Sequence, residues 1–179
     1  MIRSCLGRAA LETIALVVVV IFIFHFVISY PFVYGNGMQP GLHTGDYVLV
    51  DKLAYLFHPP KRGDVILFRY PPNPTTYEFK RVIGLPGDTI KYNNTSVWVD
   101  GVQLKEPYIT TSENHGSSML KVPPNDYFVM GDNRPAASDS RDWGFVPDSD
   151  IVGKVVLVYW PVSDWERINT YDSVYSQIR

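Results

Sequence analysis

The chain contains one long apolar run, followed by many short ones. Residues 14–34 carry almost no polar groups, and about 20 apolar residues at a rise of roughly 1.5 Å can cross a hydrocarbon core of ~30 Å as a helix. After residue 45, short apolar stretches alternate with turn residues, a pattern typical of strands. The sequence predicts strands at residues 47–50, 65–70, 77–83, 89–92, 97–99, 102–104, 127–130 and 155–159. We therefore expect a mainly β domain behind one N-terminal helix.

The pair Asp100-Gly101 is the most specific local signal among the predicted strands. It separates the apolar runs at residues 97–99 and 102–104. An Asp-Gly pair in this position favours a two-residue hairpin turn, because both turn residues need a positive φ. The two runs are therefore predicted to pair as a hairpin.

The charges around the long apolar run predict its orientation in a membrane. Arg3 and Arg8 precede the run, and no further Lys or Arg occurs before Lys52. The positive-inside rule then puts the N-terminus in the cytoplasm and the rest of the chain outside. There are two alternatives: a cleaved secretory signal peptide and a buried helix of a soluble protein. The length of the apolar run and the large residues at its C-terminal end argue against the signal peptide. We divide the chain into a cytoplasmic N-terminus with a single-pass anchor, residues 1–34, and an extracytoplasmic domain, residues 35–179.

Composition excludes several classes of function. The chain has 179 residues, enough for one anchored domain with its own core. A formal net charge of -2 gives no indication of nucleic-acid binding, and a single cysteine excludes an internal disulfide. The sequence contains no phosphate-binding loop motif and no cluster of His and Cys at metal-ligand spacing. We therefore expect no metal and no cofactor.

Three segments carry the candidate chemistry. The first surrounds Gly37, the second contains Lys80, and the third contains Asp139 and Arg141. Together they resemble the signatures of type I signal peptidases, which are serine/lysine proteases of the bacterial cell membrane. The matching residues are 35–46, then 63–68 and 79–88, then 131–134 and 138–147. Each fragment alone is a common turn or loop, but all three occur in this order behind one predicted anchor.

The resemblance implies that Gly37 occupies the position of the serine nucleophile and Lys80 that of the general base. A glycine has no side-chain oxygen and cannot form an acyl-enzyme. When a protease loses either its nucleophile or its general base, the rate enhancement that remains is only ~10³ to 10⁴-fold over the reaction in water. A lysine base must be neutral, whereas an unperturbed lysine, with a pKa near ~10.4, is protonated at neutral pH. Alternation along a strand places Lys80 on the face of Glu78 and Val82, so Lys80 is either buried, as in the family, or an ordinary solvated lysine.

The remaining motif residues would support the site. A family serine that bonds the lysine ammonium is replaced here by Ala137, and Ser138, one place along, would face differently. Asp139 and Arg141 match a salt-bridged pair that shapes the family's site; the alternative is a surface ion pair worth ~0–1 kcal/mol. Met38 matches a turn whose apolar residue lies near the membrane surface.

Two functions follow from the resemblance, and a third is an alternative that requires no peptide-binding site. The first is a membrane-anchored pseudo-protease that recognises signal peptides or exported proteins, with membrane lipid and an active signal peptidase or surface-assembly machinery as further partners. The second is an active signal peptidase I that cleaves after Ala-x-Ala-like sites in secreted proteins. The third is a structural membrane protein without a peptide groove. The absent hydroxyls at Gly37 and Ala137 favour the first function, so we expect weak or no protease activity.

Overall fold

The computed structural model describes residues 11–19, 21, 28–29, 31–109 and 116–178. Helix α1 covers residues 11–19, and residue 21 is also helical. Within the described residues, no helix combines the length and the apolar character that crossing a bilayer requires. Much of the predicted span, residues 20, 22–27 and 30, lies outside the description.

The described residues at the C-terminal end of the predicted anchor, 28–29 and 31–34, are not helical. Strand β1 at Ile28–Ser29 pairs antiparallel with β2, and Phe32 forms a bridge with Tyr47. The prediction of one uninterrupted helix to residue 34 was therefore wrong at this end. Pro31 contributes to the difference, because it lacks the N–H that a continuing helix needs.

Two antiparallel sheets form the body of the molecule. The larger sheet has the order β1-β2-β11-β3-β4-β9-β10 with β12 paired to β11, and the smaller has the order β7-β6-β5-β8. The strands are β1 Ile28–Ser29, β2 Tyr47–Asp51, β3 Val65–Arg69, β4 Tyr77–Gly84, β5 Thr89–Tyr92, β6 Val97–Val99, β7 Val102–Gln103, β8 Ser118–Lys121, β9 Asp126–Met130, β10 Val146–Pro147, β11 Ile151–Trp160 and β12 Glu166–Arg167. Two short α-helices, α2 at Ser140–Trp143 and α3 at Asp172–Tyr175, and two 3-10 helices, at Asp148–Asp150 and Val162–Asp164, complete the described elements.

The eight predicted strands are all present, so the expectation of a mainly β fold is confirmed. Strand β11 begins at Ile151 rather than at residue 155, and β1, β8, β10 and β12 were not predicted. Asp100 and Gly101 have φ values of 50° and 83°, as the predicted hairpin between β6 and β7 requires.

Strand β4 connects the packing of the two sheets. Phe79 belongs to a core cluster that includes Val33, Met38 and residues of β2, β3 and β11. Ile83, further along the same strand, packs in a second cluster with residues of β5, β6 and β9. Val82, on the other face, packs in a third cluster with Ile66 and Phe68 of β3, so burial on both faces fixes β4 in place, and with it the side chains that this strand presents at its first half.

Candidate functional site

The turn that carries Gly37 is held against the large sheet by its neighbours. Met38 is buried at 4% exposure and packs in the core with Leu42, whose backbone N–H donates to the Met38 carbonyl at 3.0 Å. The Thr44 hydroxyl donates to the Gly35 carbonyl at 2.8 Å. The expectation that Met38 lies near the membrane surface stays a prediction; within the domain, its side chain anchors the Gly37 turn to the interior.

Lys80 lies in the first half of β4, opposite Ile66 of β3. Only 6% of the residue is exposed, so it is not the solvated lysine of the alternative. Its Nζ donates to Oε2 of Glu78 at 2.5 Å. The two side chains share a face because they are two residues apart on one strand.

The backbone of Gly37 lies next to the amine of Lys80 and the methyl group of Ala137. A Cβ placed on Gly37 would lie 3.8 Å from Lys80 Nζ and 3.5 Å from Ala137 Cβ, which are ordinary contacts. A serine at position 37 would therefore fit and bring its hydroxyl within reach of the amine. Ala137 is buried and Ser138 is exposed, so Ser138 does not replace the missing hydroxyl at position 137.

The loop at residues 131–139 packs closely on the Gly37 turn. The backbone N–H of Asn133 donates to the Gly37 carbonyl at 3.0 Å, and its side-chain amide donates to the Asn36 carbonyl at 3.0 Å. A Cβ on Gly131 would come within 2.3 Å of Ala137 Cβ and 2.4 Å of the Gly37 oxygen. Glycine at position 131 is thus required for this contact.

Asp139 and Arg141 hold the end of the same loop. Arg141 donates to both oxygens of Asp139 at 2.8 Å, and the Gly131 N–H donates to Asp139 Oδ2 at 3.0 Å. Their side chains are 0% and 4% exposed, so the alternative of a surface ion pair was wrong. The pair fixes the loop that places Ala137 against Gly37.

Sequence reasoning missed a second bidentate pair beside the site. Arg81, which follows Lys80, donates to the two carboxylate oxygens of Asp132 at 2.8 Å and 2.6 Å. Burial by itself would lower the pKa of Arg81, but the hydrogen bonds and charge of Asp132 outweigh it, so the net shift is upward. Arg81 lies in the second motif segment and Asp132 in the third. The presence of an oppositely charged residue in each of these segments was a signal that could have identified the pair.

Between the Gly37 turn and β4 lies a cleft of about 520 Å³. It is lined by Phe32, Val33, Tyr34, Gly35, Asn36, Gly37, Met38, Tyr70, Asn73, Thr76, Tyr77, Glu78, Phe79, Lys80, Ala136, Ala137 and Ser138. The cleft therefore joins the first and third motif segments to Lys80 in one space.

One wall of the cleft is a free strand edge. Pairing of β4 with β9 begins at Arg81, so among the described residues the first half of β4 is paired with β3 alone. The Tyr70 N–H donates to the Thr76 carbonyl at 2.9 Å, which sets the alternation of hydrogen-bonded pairs. By that alternation, the backbone groups of Tyr77 and Phe79 point away from β3 and towards the cleft, where an extended peptide can pair with them.

A possible metal cluster lies apart from the cleft. In the described ranges, ligand atoms of His43, Asp46 and Asp164 are within 4.8 Å of one another. Asp46 Oδ2 already accepts the backbone N–H of His43 at 2.7 Å, and none of the three residues lines the cleft. These residues do not take part in the site.

Comparisons with known proteins agree with the motifs. Residues 6–160 match the family described as "Signal peptidase, peptidase S26". The chain is 37% identical to a probable signal peptidase I-1 of Synechocystis over 83% of its own length and 80% of the relative's. It is 41% identical to a signal peptidase I of Bacillus caldolyticus over 76% of this chain and 81% of that protein. A solved structure of a signal peptidase I from Enterococcus faecalis matches at 37% identity with a TM-score of 0.48, over 53% of this chain and 95% of that chain.

Proposed function

The chain belongs to the signal peptidase family, peptidase S26, and from that membership we propose that it is a binding protein that lacks the family's nucleophile. It recognises signal peptides or exported proteins in the cleft beside β4 and is catalytically impaired. One observation carries the proposal. A side chain at position 37 would lie 3.8 Å from Lys80 Nζ, and the residue there is a glycine.

The chemistry explains why this single position decides the activity. In a serine/lysine protease the serine oxygen attacks the scissile carbonyl carbon while its proton passes to the neutral lysine amine. Gly37 offers no oxygen to attack and no proton to transfer. What remains is binding and polarisation of the peptide, which supplies only ~10³ to 10⁴-fold over the uncatalysed reaction.

Binding does not depend on the missing serine. An extended peptide can add to the free edge of β4 through main-chain hydrogen bonds, with the cleft receiving its alternate side chains. Tyr77 and Phe79 offer backbone groups on this edge. The cleft can therefore hold a peptide in the register that a working protease would need, without cutting it.

The same proposal includes attachment to the bacterial cell membrane through the N-terminal apolar run. Leu11, Ile14 and Leu16 of helix α1 are between 61% and 70% exposed, and lipid would cover them. Arg3 and Arg8 favour a cytoplasmic N-terminus with the sheets outside. Besides signal peptides or exported proteins, the partners are then membrane lipid and an active signal peptidase or surface-assembly machinery.

Binding and cleavage can be measured separately on the purified full-length protein. A fluorescent peptide spanning an Ala-x-Ala site should bind, and mass spectrometry after prolonged incubation should show it intact. A matched peptide with N-methylated backbone amides should bind more weakly, because it cannot complete the strand pairing. Turnover by the unmodified chain would refute the proposal, and equal binding of both peptides would refute strand addition.

The alternative is a signal peptidase I whose site is complete except for the serine. It is favoured by one observation: the contacts of a Cβ at Gly37, at 3.5 Å or more, leave a serine unobstructed. If this alternative holds, Gly37→Ser alone should cleave the peptide strongly, and adding Ala137→Ser should increase the rate further. Absence of cleavage by both variants would argue against it.

A further inference from the structure

A turn that follows β2 carries apolar side chains that face solvent. In this segment, residues 53–57, which we call the Phe57 turn, Leu53, Leu56 and Phe57 are 40%, 65% and 93% exposed. Phe57 is the most exposed of the large apolar residues that the structure describes. A single exposed apolar residue is common on protein surfaces. Three of them in one short turn form an apolar patch that a partner can bury.

Hydrogen bonds hold the backbone of the Phe57 turn in place. The Leu53 N–H donates to Oδ1 of Asp51 at 2.8 Å, and the Leu56 N–H donates to the Leu53 carbonyl at 3.1 Å. In the same turn, the Tyr55 hydroxyl donates to Oδ2 of the buried Asp64 at 3.1 Å. The domain itself therefore fixes the conformation that exposes the apolar side chains, so little ordering is needed when a partner covers them.

The Phe57 turn lies close to the place where the N-terminal apolar run joins the large sheet. Ile28 of β1 is paired with Asp51 at the end of β2. Paired residues of antiparallel strands lie ~5 Å apart, and the hydrogen bond from Leu56 to Leu53 closes a turn whose ends are less than about 7 Å apart. With the reach of the two residues between, Leu56 lies within roughly 20 Å of Ile28. A domain anchored through this run therefore keeps the turn near the bilayer.

The charges around the turn favour lipid as the partner that covers it. Residues 52–63 contain Lys52, Lys61 and Arg62 and no Asp or Glu, whereas the whole chain has a formal net charge of -2. Arg62 is paired with Asp88, and Lys61 is exposed. Apolar side chains flanked by basic ones are typical of surfaces that enter the interface of an anionic bilayer.

We propose that the Phe57 turn is a second membrane contact, in which Leu56 and Phe57 enter the headgroup region of the bilayer beside the N-terminal anchor. The proposal rests on the membrane attachment in the proposed function and extends it. Two contacts restrict the rotation of the domain about its anchor. The cleft beside β4 is thereby held in one orientation to the bilayer surface.

The experiment measures lipid contact at position 57 of the full-length protein in vesicles of phosphatidylcholine and phosphatidylglycerol. Cys5 is the only cysteine, so Cys5→Ser with Phe57→Cys leaves one site for an environment-sensitive fluorophore. The matched control is Cys5→Ser with Met119→Cys, because Met119 is 70% exposed and lies in β8 of the smaller sheet, which does not contain β1.

Lipids that carry a nitroxide near the headgroup should quench most of the fluorescence at position 57 and little of it at position 119. A nitroxide at the end of the acyl chain should quench position 57 less, because an interfacial side chain lies only ~5–10 Å into the boundary of headgroups and acyl chains. Equal quenching at positions 57 and 119 would overturn the proposal. A blue shift at position 57 without quenching would also overturn it, because protein and not lipid would then cover the turn.

Flotation of the unlabelled chain with the same vesicles separates this proposal from the membrane attachment on which it rests. If the chain does not float, the attachment fails, and the second contact fails with it. If the chain floats and position 57 is not quenched, the second contact alone fails. Should Phe57→Cys not give a cooperative unfolding transition, Leu56→Cys reports on the same turn and carries the same expected result.

Discussion

Gly37 and Gly131 face each other across the site, yet they should respond oppositely to an added methyl group. A Cβ on Gly37 would lie 3.5 Å, 3.6 Å and 3.8 Å from its nearest atoms. A Cβ on Gly131 would lie 2.3 Å from Ala137 Cβ and 2.4 Å from the Gly37 oxygen. Gly37 and Gly131 both lie outside the left-handed region, so the comparison isolates crowding from backbone strain.

The expected magnitudes follow from these distances. Gly37→Ala creates no clash and restricts the unfolded chain, so it should stabilise the protein by about 0.4–1 kcal/mol. Gly131→Ala needs a movement of about 1 Å to reach an ordinary carbon contact, and overpacking of this kind costs about 1–3 kcal/mol. The two variants should therefore differ by roughly 2 kcal/mol, or about 4–8 °C in Tm for a chain of this size.

Urea unfolding of the full-length variants, followed by the fluorescence of the four tryptophans, measures the difference directly. The slope of free energy against urea should be the same for both variants, so the midpoints can be compared. A loss of stability in Gly37→Ala equal to that in Gly131→Ala would refute the reasoning, because it would mean that position 37 cannot accept a side chain. The fit of a serine there would then be refuted as well.

Two further predictions concern buried charges and phenols. Asp139→Asn removes the carboxylate charge that the buried Arg141 side chain contacts through two hydrogen bonds, so the urea midpoint should fall by the equivalent of about 3–5 kcal/mol, whereas Asp139→Glu should lose less. Burial, with the charge and hydrogen bond of Asp148, raises the pKa of Tyr127 from 10.0 to about 12. Because the folded pKa is the higher one, the stability that this phenol contributes is complete below pH 10 and is lost as the pH rises towards 12. Urea midpoints measured from pH 8 to 12 should therefore decline less steeply in Tyr127→Phe, and identical profiles would contradict the assignment.

Local pattern was sufficient for most strands of the fold. The alternation that marks β2 to β7, β9 and β11 is a property of neighbouring residues, since successive side chains of a strand point to opposite faces. The turn at Asp100 and Gly101 was predictable for a similar reason, because a tight hairpin demands positive φ at both positions. Strands β1, β10 and β12 contain two residues each, too few for any periodicity; β7 is equally short, but the turn at Asp100 and Gly101 placed it.

The candidate site divides in the same way. The motif segments identified Gly37, Lys80, Ala137, Asp139 and Arg141 from the printed sequence. The pairs formed by Arg81 and by Glu78 were not assigned, although the alternation of β4 placed Glu78 on the face of Lys80. Sharing a face does not reveal whether two side chains touch, because that depends on what else covers them.

The sequence by itself determined the family, the mainly β character and the absence of an oxygen at position 37, because these are properties of residue type and short-range spacing. Tertiary structure decided the rest. Strand β11, near the end of the chain, lies between β2 and β3, and residues almost a hundred positions apart meet where Asn133 donates to the Asn36 carbonyl. Packing of the loop at residues 131–139 on the Gly37 turn brings Ala137 and Gly37 next to Lys80, which is only 6% exposed. No local pattern encodes that burial, since it arises only when distant segments close over the same strand.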